Sequence, residues 1–122
     1  MVSTTPSVTE KNKRVVRNFV EDVFNRHDLA AADKYMAGAE GFKHYLDEYF
    51  LGRPDSHTTI EQIIAEGDKV FALFNTKATN KYTGKRITIK SADLYRVDNG
   101  KLVEHWDVVE ASEFPNRRIS DL

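Results

Sequence analysis

The sequence predicts an α+β domain in which N-terminal helices pack on the concave face of a curved, meandering antiparallel sheet. Apolar residues recur at helical spacing in the first part of the chain and alternate along strand-like runs from Thr58 onward. Short turns separate these runs, so neighbouring strands should be antiparallel. At 122 residues the chain fits one domain, 1–122, with loose tails at 1–6 and 111–122.

Three helices are expected before the sheet. Ser7 and Glu10 have the spacing of a capping box, so a first helix should start there and bury the stripe from Val16 to Phe24. Asp28 can cap a short second helix from Leu29 to about Met36. A third helix carries the aromatic stripe Phe42, Tyr45, Leu46, Tyr49 and Phe50 and ends at Gly52-Arg53-Pro54-Asp55.

Four strands follow, because β-branched and aromatic residues alternate between turn signals. The predicted strands are Thr58–Glu66, Lys69–Thr79, Arg86–Val97 and Lys101–Glu110.

The last two strands hold the best chemical candidates, and the register of their hairpin decides whether these candidates meet. If Asn99-Gly100 forms a two-residue loop, Asp98 pairs with Lys101. In that register Asp93 faces away from His105.

The alternative is a type I turn followed by Gly100 as a left-handed bulge residue, so that Val97 pairs with Lys101 and Asp93 lies opposite His105. We favour this register because it places two carboxylates beside an imidazole. An ordinary hairpin with a wet polar face is the competing interpretation. In the favoured register, one face of the hairpin carries Asp93, Tyr95, Val103, His105, Asp107 and Val109, and the other carries Leu94, Leu102, Trp106 and Val108.

Two carboxylates that flank a histidine in a partly dry pocket repel each other, so we expect a shared proton or one raised pKa. This arrangement suits proton transfer at a carbon next to a carbonyl group. We assign Asp107 as the acid/base, His105 as the group that orients it or relays the proton, and Asp93 as the residue that holds the histidine. The residues expected to contact the substrate are Tyr95, Val103, Tyr45 and Tyr49.

Composition excludes several other classes of function. The formal net charge is −1 and the basic residues are scattered, so neither a nucleic acid nor a membrane surface is an expected partner. The chain has no cysteine, which excludes disulfides and thiol catalysis and fits a cytoplasmic protein. The histidines lack zinc-ligand spacing and no glycine-rich phosphate loop is present, so we expect no metal and no nucleotide.

The hairpin segments Ala92–Val97 and Asn99–Val109 resemble the terminal hairpin of SnoaL-like polyketide cyclases, which belong to the nuclear-transport-factor-2-like, ketosteroid-isomerase-like superfamily. Val23–Leu29, Glu40–Phe42 and Ile64–Val70 also match, and the resemblance covers about residues 9 to 110. It implies a cone-shaped α+β barrel, a homodimer packed through its sheet, and a cofactor-free pocket for a small hydrophobic or carbonyl-containing ligand. Active members catalyse an aldol-type ring closure, and the resemblance also gives Asp107 the acid/base role, with Asp93 and His105 nearby.

The sequence departs from the family pattern after the second helix. Similar sequences usually continue there into a short strand with a Gln-His-Asn-Pro-like segment that lines the pocket, whereas here Tyr35–Phe42 runs directly into the third helix. We therefore expect a barrel that lacks one strand and a pocket that lacks one wall and its usual histidine. A non-catalytic ligand-binding or dimerisation module of the same fold is the alternative function, and an open wall would favour an altered dimer or strand exchange.

Overall fold

The structure is a computed structural model that describes residues 6–111 and 119–121. It confirms the expected α+β class, with three helices packed against one four-stranded antiparallel sheet. The helices are α1 (Val8–Phe19), which continues as a π-helical turn (Val20–Asn25), then a 3₁₀ turn (Leu29–Ala31) that leads into α2 (Ala32–Tyr35), and α3 (Glu40–Gly52). The strands are β1 (His57–Glu66), β2 (Lys69–Thr79), β3 (Arg86–Asp98) and β4 (Lys101–Ala111), and a 3₁₀ turn (Ile119–Asp121) follows them.

Both predicted helix caps are confirmed. The Ser7 hydroxyl accepts a hydrogen bond from the Glu10 amide at 3.2 Å, and the Asp28 carboxylate accepts one from the Ala31 amide at 3.2 Å. Each bond satisfies an amide that the first helical turn leaves free. The predicted tails lie outside the described residues except for Pro6, Ala111 at the end of β4, and the turn at Ile119–Asp121.

The end of the first helix is wider than an ordinary α-helix. The Arg26 amide bonds to the Glu21 carbonyl five residues back, at 3.0 Å. His27 then adopts a positive φ of 55°, which stops the helix. The widened turn keeps Val20 and Val23 in the core, as the apolar stripe predicted.

The sheet runs in the order β1-β2-β3-β4, curves around the helices and does not close into a barrel. The inward positions of β2 are all buried, and they are Val70, Ala72, Phe74, Thr76 and Ala78. Helix α1 covers this face and buries Val16 and Phe19 against it. Between α2 and α3 the chain forms a turn at Met36–Ala39 in place of a strand, as the sequence predicts. Within the described ranges, no helix is long and apolar enough to span a bilayer.

The turn between β3 and β4 contradicts the register that we favoured. Asn99 and Gly100 both have positive φ, at 49° and 75°, so they form a two-residue loop. Asp98 therefore pairs with Lys101, and the predicted three-residue bulge turn is wrong.

A bulge at Val103 then changes the register within β4. Val97 pairs with Leu102, but Arg96 pairs with Glu104, so Val103 is an extra residue. Leu102 consequently faces inward and is only 6% exposed, although we predicted it on the outer face. Val103 is 41% exposed at the bulge. Because one extra residue reverses the inward–outward alternation, the residues from Glu104 to Asp107 have the facing that we predicted from the other turn.

A second bulge lies at Val108. Asp93 pairs with Asp107, whereas Ala92 pairs with Val109 and Ser91 with Glu110. The side chain of Glu110 thus joins the inward face next to Ser91.

The Asn25 side chain makes hydrogen bonds to β1 of the kind that a neighbouring strand makes. Its amide donates to the Thr58 carbonyl at 2.9 Å, and its carbonyl accepts from the Thr58 amide at 2.7 Å. These two bonds tie the π-helical turn to the free edge of the sheet.

We predict that Asn25→Ala lowers the free energy of unfolding by about 1–3 kcal/mol, because it leaves both main-chain groups of Thr58 without a partner. Urea unfolding followed by circular dichroism measures this change. Asn18→Ala, at an exposed position of α1, is the matched control and should alter stability far less. Equal effects of the two substitutions would contradict the bridging role.

Candidate active site

A cavity of about 520 Å³ lies between the helices and the concave face of the sheet. Helices supply one wall and the inward residues of the strands supply the other. This size suits a small organic ligand. The lining residues include Phe19, Val20, Phe24, Met36, Ala37, Phe42, Tyr45, Tyr49, Thr58, Phe74, Thr76, Ile89, Ser91, Asp93, Tyr95, Leu102, Val103, Glu104, His105, Asp107 and Glu110.

The structure brings the three predicted catalytic residues together on the wall formed by β3 and β4. The His105 Nε2 atom lies 3.2 Å from a carboxylate oxygen of Asp107 and 3.5 Å from one of Asp93. One ring nitrogen therefore faces both carboxylates. Hereafter these three residues are called the acid–histidine cluster.

The two carboxylates differ strongly in their access to water. The Asp93 side chain is 15% exposed, whereas that of Asp107 is 84% exposed. Asp93 therefore lies at the inner side of the acid–histidine cluster and Asp107 at the solvent side.

Tyr95 packs against His105 of the acid–histidine cluster. Its ring stacks on the His105 ring with centroids 4.8 Å apart and planes 6° from parallel. Its hydroxyl donates to Asp93 at 3.4 Å, and the whole side chain is buried. The stack fixes the plane of the imidazole, so the nitrogen stays directed at the carboxylates.

The proton affinity of His105 reflects two opposing effects. Burial lowers the pKa of His105, but the contact with Asp93 and the negative charges of Asp93 and Asp107 outweigh it, so the pKa lies above its ordinary value. For Tyr95, burial raises the pKa well above the ordinary value, and the charge of Asp93 adds to this effect. The phenol is therefore a hydrogen-bond donor at neutral pH.

The remaining predicted contact residues all line the cavity. Tyr45 is 56% exposed and stands at the opening, and Tyr49 lies deeper on the same face of α3. The Arg53 guanidinium lies 4.5 Å above the centre of the Tyr49 ring, which fixes that ring by a cation–π contact.

Comparison with known proteins decides the family. The family model for SnoaL-like polyketide cyclases matches residues 14–114 of this chain. The chain belongs to the SnoaL-like polyketide cyclase family. No curated protein is similar enough to match it.

Solved structures share the SnoaL-like fold. A candidate polyketide cyclase from Acidithiobacillus ferrooxidans is 26% identical, covers 84% of this chain and 90% of its own, and superposes with a TM-score of 0.73. AclR from Streptomyces galilaeus, described as a candidate hydroxylase, is 24% identical over 82% of this chain and 75% of its own, with a TM-score of 0.75. IdmH from Streptomyces antibioticus, described as a candidate polyketide cyclase, is 19% identical over 81% and 91% of the two chains, with a TM-score of 0.73.

Sequence reasoning missed part of this SnoaL-like site. Thr58, Thr76 and Ser91 contribute hydroxyl groups to the cavity, and Glu110 contributes a carboxylate. Threonines are common in strands, so their side chains carried no signal beyond strand propensity. Glu110 reaches the inner face only through the Val108 bulge, which no glycine marks in the sequence.

The acid–histidine cluster is also the place where a cation would bind. One ligand atom from each of its three residues lies within 4.8 Å of the others. Such binding requires a neutral imidazole, so protons compete with a metal ion for His105. The expectation that the protein uses no metal stays a prediction.

We predict that Asp93→Asn lowers the pKa of His105, because burial then acts against the remaining charge of Asp107 alone. An NMR pH titration of the His105 ring measures this. Asp98→Asn, at the exposed end of β3, is the control and should leave the titration unchanged.

The raised pKa of His105 also makes the free energy of unfolding depend on pH. The folded-state pKa of His105 lies above the ordinary 6.5, so protonation stabilises the fold fully below pH 6.5, and this contribution is lost as the pH rises through the raised pKa. The stability difference between wild type and Asp93→Asn should therefore be larger near about pH 6 than near about pH 9. A difference that grows with pH would contradict this account.

Proposed function

We propose that this protein binds a small, largely apolar compound with a carbonyl group and catalyses cofactor-independent acid/base chemistry on it, as an aldol-type cyclisation or an isomerisation. The observation that supports this most directly is the His105 nitrogen, which lies 3.2 and 3.5 Å from two carboxylates on the wall of a 520 Å³ cavity. Groups held in this way can take up and return a proton without a cofactor.

The three residues of the acid–histidine cluster have different roles, which follow from their surroundings. Asp107 is the most exposed member of the cluster and takes the proton from the carbon next to the carbonyl group. The electrons of that C–H bond form an enolate. Its carbon attacks a second carbonyl of the same molecule, whose oxygen then takes up the proton, or the enolate is reprotonated at another carbon. His105 orients Asp107 and relays the proton, and the better buried Asp93 holds the imidazole.

The apolar part of the cavity supplies binding energy for the rest of the ligand. Phe19, Phe24, Phe42 and Phe74 line it, and Tyr95, Tyr45, Tyr49 and Val103 offer contacts nearer the acid–histidine cluster. Aromatic walls of this kind favour flat cyclic ligands over charged or flexible ones.

A non-catalytic binding module is the second candidate function. It is favoured by the 84% exposure of Asp107, because a solvated carboxylate is a weaker proton acceptor for carbon acids than a desolvated one. The turn at Met36–Ala39, which replaces the usual pocket-lining strand, favours the same alternative.

We also infer that the protein acts as a homodimer in the cytoplasm. The absence of cysteine supports a reducing compartment. The outer face of the sheet supports the dimer, because Ile64, Trp106 and Val108 are 59%, 40% and 55% exposed there.

We predict that Asp107→Asn slows proton exchange at the reactive carbon by about 10²–10⁴-fold, because the amide cannot accept the proton. The probe is 1-tetralone, a rigid two-ring ketone, and NMR in deuterium oxide follows the exchange of its hydrogens next to the carbonyl. Asp98→Asn is the control. Exchange by wild type no faster than in buffer, with the ketone bound, would favour the binding module instead.

We predict that Ile64→Glu turns the dimer into a monomer, because it places a charge on the apolar outer face of the sheet that the two subunits would share. Size-exclusion chromatography with light scattering measures the mass. Tyr82→Glu, at a loop position that is 79% exposed, is the matched control and should stay dimeric. A monomeric wild type at micromolar concentration would refute the dimer.

A further inference from the structure

A pair of threonine hydroxyls lies in the part of the cavity formed by β1 and β2, away from the acid–histidine cluster. Thr58 and Thr76 face each other across the two strands and their side-chain oxygens are 2.8 Å apart. Both residues line the cavity and are only 8% and 6% exposed. Asn25 holds the main chain of Thr58 through two hydrogen bonds, so the pair is fixed in place.

The hydrogen bond between Thr58 and Thr76 uses only one of their two hydroxyl protons. Each hydroxyl carries one donor hydrogen, and the single bond between the two uses only one of them. Within the described part of the chain, neither hydroxyl makes a second hydrogen bond. A buried donor without an acceptor is costly, so this proton needs an acceptor in the cavity.

The neighbours of the pair on the sheet are apolar. Ile89 pairs with Thr76, and Phe74 precedes Thr76 on the same face of β2. Both side chains line the cavity. The free hydroxyl proton is therefore a local polar contact set in an apolar wall, which is how binding sites fix the orientation of a ligand.

The register of the sheet gives the spacing between the two polar places. Thr76 pairs with Ile89, and Asp93 follows four residues further along β3. At about 3.3 Å per residue along the strands and about 4.8 Å between neighbouring strands, Thr76 and Asp93, the nearest members of the pair and of the cluster, are roughly 14 Å apart. A hydrogen bond of about 2.8 Å at each end leaves roughly 8 Å between two oxygen atoms of one ligand.

We propose that Thr58 and Thr76 form a second polar subsite, which binds an oxygen substituent on the ligand at the end remote from the reacting carbonyl group. This inference rests on the proposed function, because it takes the acid–histidine cluster as the place where the carbonyl reacts. It narrows the ligand class to rigid cyclic ketones that carry a hydroxyl or a second carbonyl about 8 Å away from the first.

Two probes that differ by one hydroxyl test the subsite. They are 6-hydroxy-1-tetralone, whose hydroxyl lies across the ring system from its carbonyl, and 1-tetralone, which lacks that hydroxyl. NMR titrations give the dissociation constant of each. We expect wild type to bind the hydroxylated ketone about 3–10-fold more tightly, the gain that one buried hydrogen bond provides.

Three variants locate the source of that preference. Thr58→Val/Thr76→Val keeps the shape but removes both hydroxyls, and it should bind the two ketones equally. Thr76→Ser keeps a hydroxyl and should retain the preference. Thr88→Val, at an exposed position on the outer face, is the matched control and should behave as wild type.

Equal affinities for the two ketones in wild type, or a preference that survives in Thr58→Val/Thr76→Val, would overturn the subsite. Binding is measured apart from turnover, so the two proposals can fail separately. A hydroxyl preference without proton exchange at the reactive carbon would keep the subsite and refute the acid/base function. Failure of both ketones to bind would refute the subsite and the proposed ligand class together.

Discussion

Two extra residues in β4 decide which side chains reach the cavity. Side chains of a strand alternate between its faces, so each bulge reverses the facing of everything that follows. The Val103 bulge turns His105 and Asp107 inward, and the Val108 bulge turns Glu110 inward. The acid–histidine cluster depends on the first of these irregularities, since a regular ladder from the two-residue loop would point both residues at the outer face.

The acid–histidine cluster has one buried side and one solvent-exposed side. Asp93 and Tyr95 are well covered, so their contacts with His105 act in a medium that screens charge poorly. Asp107 lies in water, where its charge costs little to maintain. The imidazole between them therefore has a fixed orientation on one side and access to exchanging protons on the other, which a proton relay requires.

Much of the fold could be predicted from the sequence because its signals are local. The caps at Ser7 and Asp28, the change of period at Thr58 and the turn residues each depend on neighbouring positions, and these elements were found where expected. The favoured hairpin register was wrong, since Asn99-Gly100 forms the two-residue loop.

The predicted grouping of the three catalytic candidates was nevertheless correct, for a different physical reason. Valine at a bulge carries no local signature, so Val103 could not be recognised as the residue that reverses the facing of β4. The threonine pair was also missed, because the partnership of Thr58 with Thr76 depends on strand register across two elements. Long-range pairing of this kind is what a single sequence encodes least directly.

The acid–histidine cluster lies within a single hairpin, β3–β4, whereas the helices contribute most of the aromatic wall opposite it. The titratable groups of the cavity and most of its aromatic wall are thus encoded in separate stretches of the chain. Substitutions on α1 or α3 can remodel the volume of the cavity while the acid–histidine cluster keeps its geometry. Such a division makes the domain a tractable scaffold for redesign, in which the shape of the cavity is changed through helical side chains alone.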